Sequence, residues 1–296
     1  MILLLVTSAL LVAGLGAQQG AGPRVPEGWK VHRDLPYVPN ATARQKLDLY
    51  VPPVSGKLPL VIWIHGGGWR GGDKGNPLPL RLIADQGYAV ASVAYRLSNQ
   101  AKFAAQIEDC KAAVRWLRGH AAEYSLDPDR FAAWGASAGG HLAALLGTAG
   151  DRFDIGENIG VSSRVQAVVD YYGPTDFLQM DAHALASGPS RHNAPDSPES
   201  QLIGGPLEEN DLAVSRANPV AYVSKDDPPF LIVHGDQDPL VPLHQSQLLE
   251  GALRKAGVAV TLHTVKGAGH GQGFEKDPAI VPLVRDFLAK ALRGRH

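Results

Sequence analysis

The sequence predicts an α/β fold, a mostly parallel central sheet covered by helices on both faces, with one small lid or rim insertion. Three observations carry that expectation. Apolar runs of strand length alternate with helix-period segments along most of the chain. The chemistry-bearing residues fall just after the predicted strands, at the carboxyl ends where such sheets place their sites. A chain of 296 residues with 45% hydrophobic content suffices for a single large core.

Residues 1–17 form an apolar run with small residues at Gly14, Gly16 and Ala17. It reads as a secretory signal peptide whose only positive start is the terminal amine. A secreted or periplasmic location is expected, with no stable membrane span after processing. Residues 18–36 read as an N-terminal extension, and the catalytic domain is expected over 37–296. Strand-like runs then occur at 46–51, 59–64, 88–94, 130–134, 165–171, 229–233 and 258–264. Helix-like segments at 79–86, 103–124, 139–146, 243–256 and 281–292 lie among them. Within 103–124, Phe103, Ile107, Cys110, Val114 and Leu117 recur every three or four residues. That spacing puts the single cysteine on a buried helix face, as a core residue with no disulfide partner. The alternation breaks at 173–225, where 186–198 is too rich in Gly, Pro, Ser and polar residues to supply a core strand. This segment is expected to leave the sheet on the active-site side as the lid or rim.

Gly135-Ala136-Ser137-Ala138-Gly139 follows one strand-like run and opens a helix-like one. Small flanking residues there allow a sharp strand-turn-helix bend that exposes the Ser137 hydroxyl. A serine is a weak nucleophile until a histidine takes its proton, and the histidine needs a carboxylate to set its tautomer. His270, in the glycine-rich loop after 258–264, is the candidate base. The turn after 229–233 holds two aspartates. Asp238 is favoured as the acid because it lies farther from the strand end, where a loop can carry it toward a histidine. Asp236 is expected to brace the turn through its own backbone. The chain order Ser, Asp, His differs from the orders of chymotrypsin and subtilisin.

His65-Gly66-Gly67-Gly68-Trp69 follows the run at 59–64, and its glycines can turn backbone N–H groups toward a developing oxyanion; Ala138 would add another donor. Trp69 is a candidate substrate contact, narrowing the acyl pocket or stacking on a ring, with a core anchor as the equal alternative. His65 is expected to hold its turn, His141 to belong to the elbow helix, and His234 to be buried and hydrogen-bonded. No H-x-x-x-H or H-E-x-x-H spacing is present, so neither metal nor organic cofactor is expected. A net charge of −1 and the lack of a basic stripe exclude nucleic acid and anionic membranes as expected partners. The sequence does not specify an oligomeric state.

His65 to Lys74 together with Gly135 to Ala143 resemble the α/β-hydrolase superfamily, and within it the hormone-sensitive-lipase-like esterases. The likeness is closest to the branch with bifunctional feruloyl and acetylxylan esterases, and it runs from about Tyr37 to Leu292. The resemblance implies an α/β-hydrolase fold with Ser137 as nucleophile, Asp238 as acid, His270 as base and Gly67, Gly68 and Ala138 as oxyanion donors. It further implies a secreted serine esterase that removes acetyl or feruloyl groups from plant polysaccharide or similar small esters. A short-chain lipid esterase, an arylformamidase-like hydrolase and a non-catalytic binding protein on the same fold are the alternatives. The segment before the first core strands is shorter than in many lipase-like relatives, which puts an N-terminal helical cap in doubt.

Overall fold

The computed structural model describes residues 24–186, 188 and 191–294, so the expected signal peptide lies outside the described residues. One sheet contains β1 (Lys30–Pro36), β2 (Lys46–Val51), β3 (Leu58–Ile64), β4 (Ala89–Val93), β5 (Leu126–Ala136), β6 (Ala167–Tyr171), β7 (Phe230–Gly235) and β8 (Val260–Val265). Their spatial order is β1-β2-β4-β3-β5-β6-β7-β8. The β1–β2 and β2–β4 pairs are antiparallel and all others parallel. The helices are α1 (Pro79–Leu82), α2 (Ala105–Gly119), α3 (Ala138–Thr148), α4 (Met180–His183), α5 (Pro198–Ile203), α6 (Asp211–Ala217), α7 (Leu243–Lys255) and α8 (Ile280–Arg293). No described helix is long and apolar enough to cross a membrane.

The central strands read as continuous apolar runs because both of their faces are covered. Along β3, Leu60, Ile62 and Ile64 pack with Ile107 and Val114 of α2, Leu142 of α3 and Leu249 of α7. Val61 and Trp63 of the same strand pack with Val284 and Leu288 of α8. The two-residue period of a strand thus sends alternate side chains into two separate cores. The expected face of α2 is buried through Ile107, Cys110, Val114 and Leu117. Burial pushes the Cys110 thiol well above its ordinary pKa, as suits a core residue.

One expectation needs correction. Residues 18–36 are not wholly an extension, since Lys30–Pro36 pairs with β2 as the sheet's edge strand. Its burial is partial and irregular, so it lacks the apolar run that reveals an interior strand. The insertion at 173–225 is built mainly from α4, α5, α6 and short 3₁₀ turns. Phe177, Met180, Leu202, Leu207, Val214 and Ala217 from it join the main core. It is therefore a packed rim, and His141 Nε2 pins it to α3 by donating to the Ala217 carbonyl at 2.6 Å. Burial lowers the His141 pKa to about 4, so its ring is a neutral structural donor.

Candidate active site

The turn from β5 into α3 holds Ser137 at φ 56 and ψ −124, a left-handed conformation that L residues rarely adopt. Such strain costs about 1–3 kcal/mol and persists only where the surroundings impose it. Here the surroundings are backbone. A Cβ on Gly135 would lie 2.0 Å from the Gly139 carbonyl oxygen, and one on Gly139 would lie 2.1 Å from that of Ile64. These contacts explain the small residues on either side of the serine. The Ser137 N–H donates to Tyr171 O at 2.8 Å, tying the elbow to the end of β6.

The glycine loop after β3 turns back on itself, with Gly67 at φ 114 and Gly71 N–H donating to Gly67 O at 3.0 Å. Neither Gly67 N–H nor Gly68 N–H donates a hydrogen bond among the described residues. Ala138 is the first residue of α3, so its N–H has no acceptor within the helix. These three residues, Ser137 and His270 line one cavity of 530 Å³. His65 donates from Nδ1 to the Gly66 carbonyl at 2.8 Å and stacks on Tyr95 with ring centroids 4.3 Å apart. Burial lowers its pKa to about 4, which makes it a brace for the loop.

Past β7, Asp238 folds back over its own turn. Its Oδ1 accepts from Leu240 N–H at 2.8 Å and Val241 N–H at 2.9 Å, leaving Oδ2 to accept from His270 Nδ1 at 2.7 Å. Burial alone would raise the Asp238 pKa, but the His234 and His270 rings beside it and the Val241 N–H hold it well below the carboxylate range. Asp238 is therefore an anion at the His270 ring. His234 is buried behind it, donating from Nε2 to Val241 O at 2.8 Å and accepting at Nδ1 from Ser246 Oγ at 2.6 Å. Asp236 does brace, but not through its own turn. Its Oδ1 accepts from Gly267 N–H at 2.7 Å and so ties the acid turn to the loop that carries His270.

Trp69 requires a correction. Its indole is 1% exposed and sits against His141 and Phe177, with centroid distances of 5.2 and 5.4 Å. The residue borders the cavity, yet its ring is a core anchor and not a substrate platform. Sequence reasoning also missed Tyr172, one residue beyond β6, whose ring packs on His270 at 4.5 Å. The available signal was an aromatic residue at the carboxyl end of a predicted strand. His192 and Glu199 of the insertion line the same cavity and carried no recognisable spacing in the sequence.

Asp170, at the end of β6, was not singled out either. It is fully buried, accepts from Gly173 N–H at 2.9 Å through Oδ1, and has no partner for Oδ2 among the described residues. Burial raises its pKa to about 6, outweighing the Gly173 hydrogen bond and the field of His234. The folded state thus binds this proton more tightly than the unfolded chain, whose value is 3.8, and loses stability as pH rises between those two values. Asp170→Asn, which cannot ionise, is expected to gain about 3 kcal/mol relative to the parent between pH 4 and pH 7. Urea unfolding at several pH values measures this, and a difference independent of pH would refute it.

Among the described residues, no group of three or more His, Cys, Asp or Glu side chains is placed to hold a metal ion. The family model BD-FAE matches residues 47–253. The chain is 33% identical over 300 residues to a probable carboxylic ester hydrolase, LipM, of Mycobacterium tuberculosis, covering 96% of this chain and 68% of that one. It is 31% identical over 276 residues to Esterase LipQ of the same organism, covering 89% of this chain and 63% of that one. Among solved structures, a truncated carbohydrate esterase from gut microbiota superposes with a TM-score of 0.79 at 33% identity, over 88% of this chain and 96% of that one.

Proposed function

This chain belongs to the BD-FAE family, and from that premise we propose that it is a serine carboxylic-ester hydrolase acting on acetyl or similarly small esters of carbohydrates. The observation that carries the chemistry is the 2.7 Å hydrogen bond from His270 to Asp238 beside a strained serine in a shared cavity. His270 Nε2 takes the Ser137 proton as Oγ attacks the ester carbonyl. The oxyanion is held by the N–H groups of Gly67, Gly68 and Ala138, each donor worth ~10²–10³ in rate. His270 then protonates the departing alcohol, and water, activated by the same base, releases the acid. The Ser137 hydroxyl forms no hydrogen bond among the described residues; a base–nucleophile contact that closes only on substrate is common in unliganded sites.

The carbohydrate part of the reading is supported by the carbohydrate-esterase neighbour. Pro174, Pro239, Leu240 and Val241 give the cavity an apolar wall against which a small acyl group can pack. A secreted or periplasmic location belongs to the same proposal and rests on residues 1–17. Acetate release from acetylated xylo-oligosaccharides by the purified chain tests the substrate, with the expected result release by the parent and none by a Ser137→Ala blank. Preference for long-chain acyl esters would replace it with a lipid-esterase reading. Cleavage of feruloyl esters without acetate release would keep the chemistry and change the acyl group.

A further inference from the structure

The rim brings a polar pair into the cavity that the triad does not use. His192 and Glu199 both line it, with His192 Nδ1 3.3 Å from Glu199 Oε1. Both side chains are more than nine-tenths buried, at 8% and 6% exposure. Their separation exceeds the 2.7–2.9 Å of a well-formed charge-assisted hydrogen bond, and Glu199 Oε2 has no partner among the described residues.

The pair is also held in place. The N–H groups of His192 and Asn193 donate to the two oxygens of Asp181, at 2.6 and 3.0 Å. Ser197 caps α5 by accepting from Ser200 N–H at 2.9 Å, which sets Glu199 in the first turn. Pro198 leans on the oxyanion loop, so that a Cβ on Gly68 would lie 3.2 Å from its ring. Burial by itself would lower the His192 pKa, but Glu199, with the charges of Asp181 and Asp238, holds it above the ordinary histidine value.

A buried carboxylate beside an imidazole, with one carboxylate oxygen unfilled, is costly to maintain, and each unsatisfied polar group calls for a physical reason. A ligand with adjacent hydroxyls supplies one. A hydroxyl both donates and accepts, so two neighbouring hydroxyls can serve a carboxylate oxygen and a ring N–H together. An acetyl group offers no hydroxyl, so the match is with the alcohol half of the ester.

We propose that Glu199 and His192 form a hydroxyl-binding subsite for a polyhydroxylated alcohol half, with Glu199 Oε2 accepting from one hydroxyl and the His192 ring donating to its neighbour. This deepens the esterase reading and rests on it for the position of the ester carbonyl. It makes the pair specificity-determining, and it explains why the rim is anchored so firmly beside Gly68.

The test is binding, so that it does not depend on turnover. Full-length Ser137→Ala, labelled at histidine, is titrated with xylobiose and followed by NMR. Saturable movement of the His192 ring signals is the expected result. Glu199→Gln in the same background keeps shape and removes charge; it should weaken binding by about 10- to 100-fold, the usual worth of a hydrogen bond to a charged group. Glu199→Asp, which keeps the charge, should recover part of the affinity. Absence of xylobiose binding, or equal affinity in Glu199→Gln protein that melts normally, overturns the subsite. If the parent cleaves aryl acetate but the subsite test fails, the esterase reading stands alone. Binding through Glu199 without hydrolysis of any ester would overturn the esterase reading and leave the subsite.

Discussion

Ser137→Ala is expected to lower kcat/KM by about 10⁴- to 10⁶-fold and to leave folding stability within about 0.5 kcal/mol. The activity loss follows from removing the one atom that bonds to the acyl carbon. What remains is the rate that oxyanion donors and binding supply to water. The small stability change follows from two features of the elbow. The hydroxyl makes no hydrogen bond among the described residues, and alanine keeps the Cβ that suffers at φ 56. Ser137→Gly separates the two effects. It should be equally inactive yet more stable than Ser137→Ala, because glycine adopts positive φ without steric cost. Initial rates on an aryl acetate and thermal melts of the three proteins check both arms. Substantial turnover by the alanine variant would remove Ser137 from the mechanism.

The second large effect concerns the two aspartates of one turn. Asp238→Asn is expected to lower kcat about 10⁴-fold, and Asp236→Asn only a few-fold. The reason is in the partners of Asp238. Two backbone donors, Leu240 N–H and Val241 N–H, converge on Oδ1 and will keep the amide oxygen of an asparagine there. Its amide nitrogen then faces His270 Nδ1, where the carboxylate oxygen stood at 2.7 Å. A donor in that position forces the imidazole into the tautomer with its proton on Nε2, which cannot accept the serine proton. Asp236→Asn meets no such conflict, since one amide oxygen suffices for Gly267 N–H. Steady-state kinetics of both variants decide it, and the reverse ranking would transfer the acid role to Asp236.

Much of this was legible from local sequence because local backbone sterics demand it. The elbow requires small residues at Gly135 and Gly139, whose Cβ atoms would strike carbonyl oxygens of Gly139 and Ile64. The central strands announce themselves because burial on both faces leaves no polar alternation to hide them. That Asp238 and not Asp236 meets the His270 ring was accessible from distance along the turn, although the contact Asp236 makes was not. Its acceptor role reaches Gly267, 31 residues away.

By itself the sequence determined the alternating α/β architecture, the carboxyl-end location of the cavity residues and the residue types of the proposed serine centre. Those properties depend on periodicity and on close contacts within a few residues, which a linear pattern records. Only the tertiary structure decided that Lys30–Pro36 completes the sheet, that Trp69 turns into the core, that Tyr172 packs on His270 and that His192 and Glu199 meet in the cavity. Each of these is set by which surface arrives from a distant part of the chain. A side chain's burial, partner and charge are properties of that meeting, and no local pattern carries them.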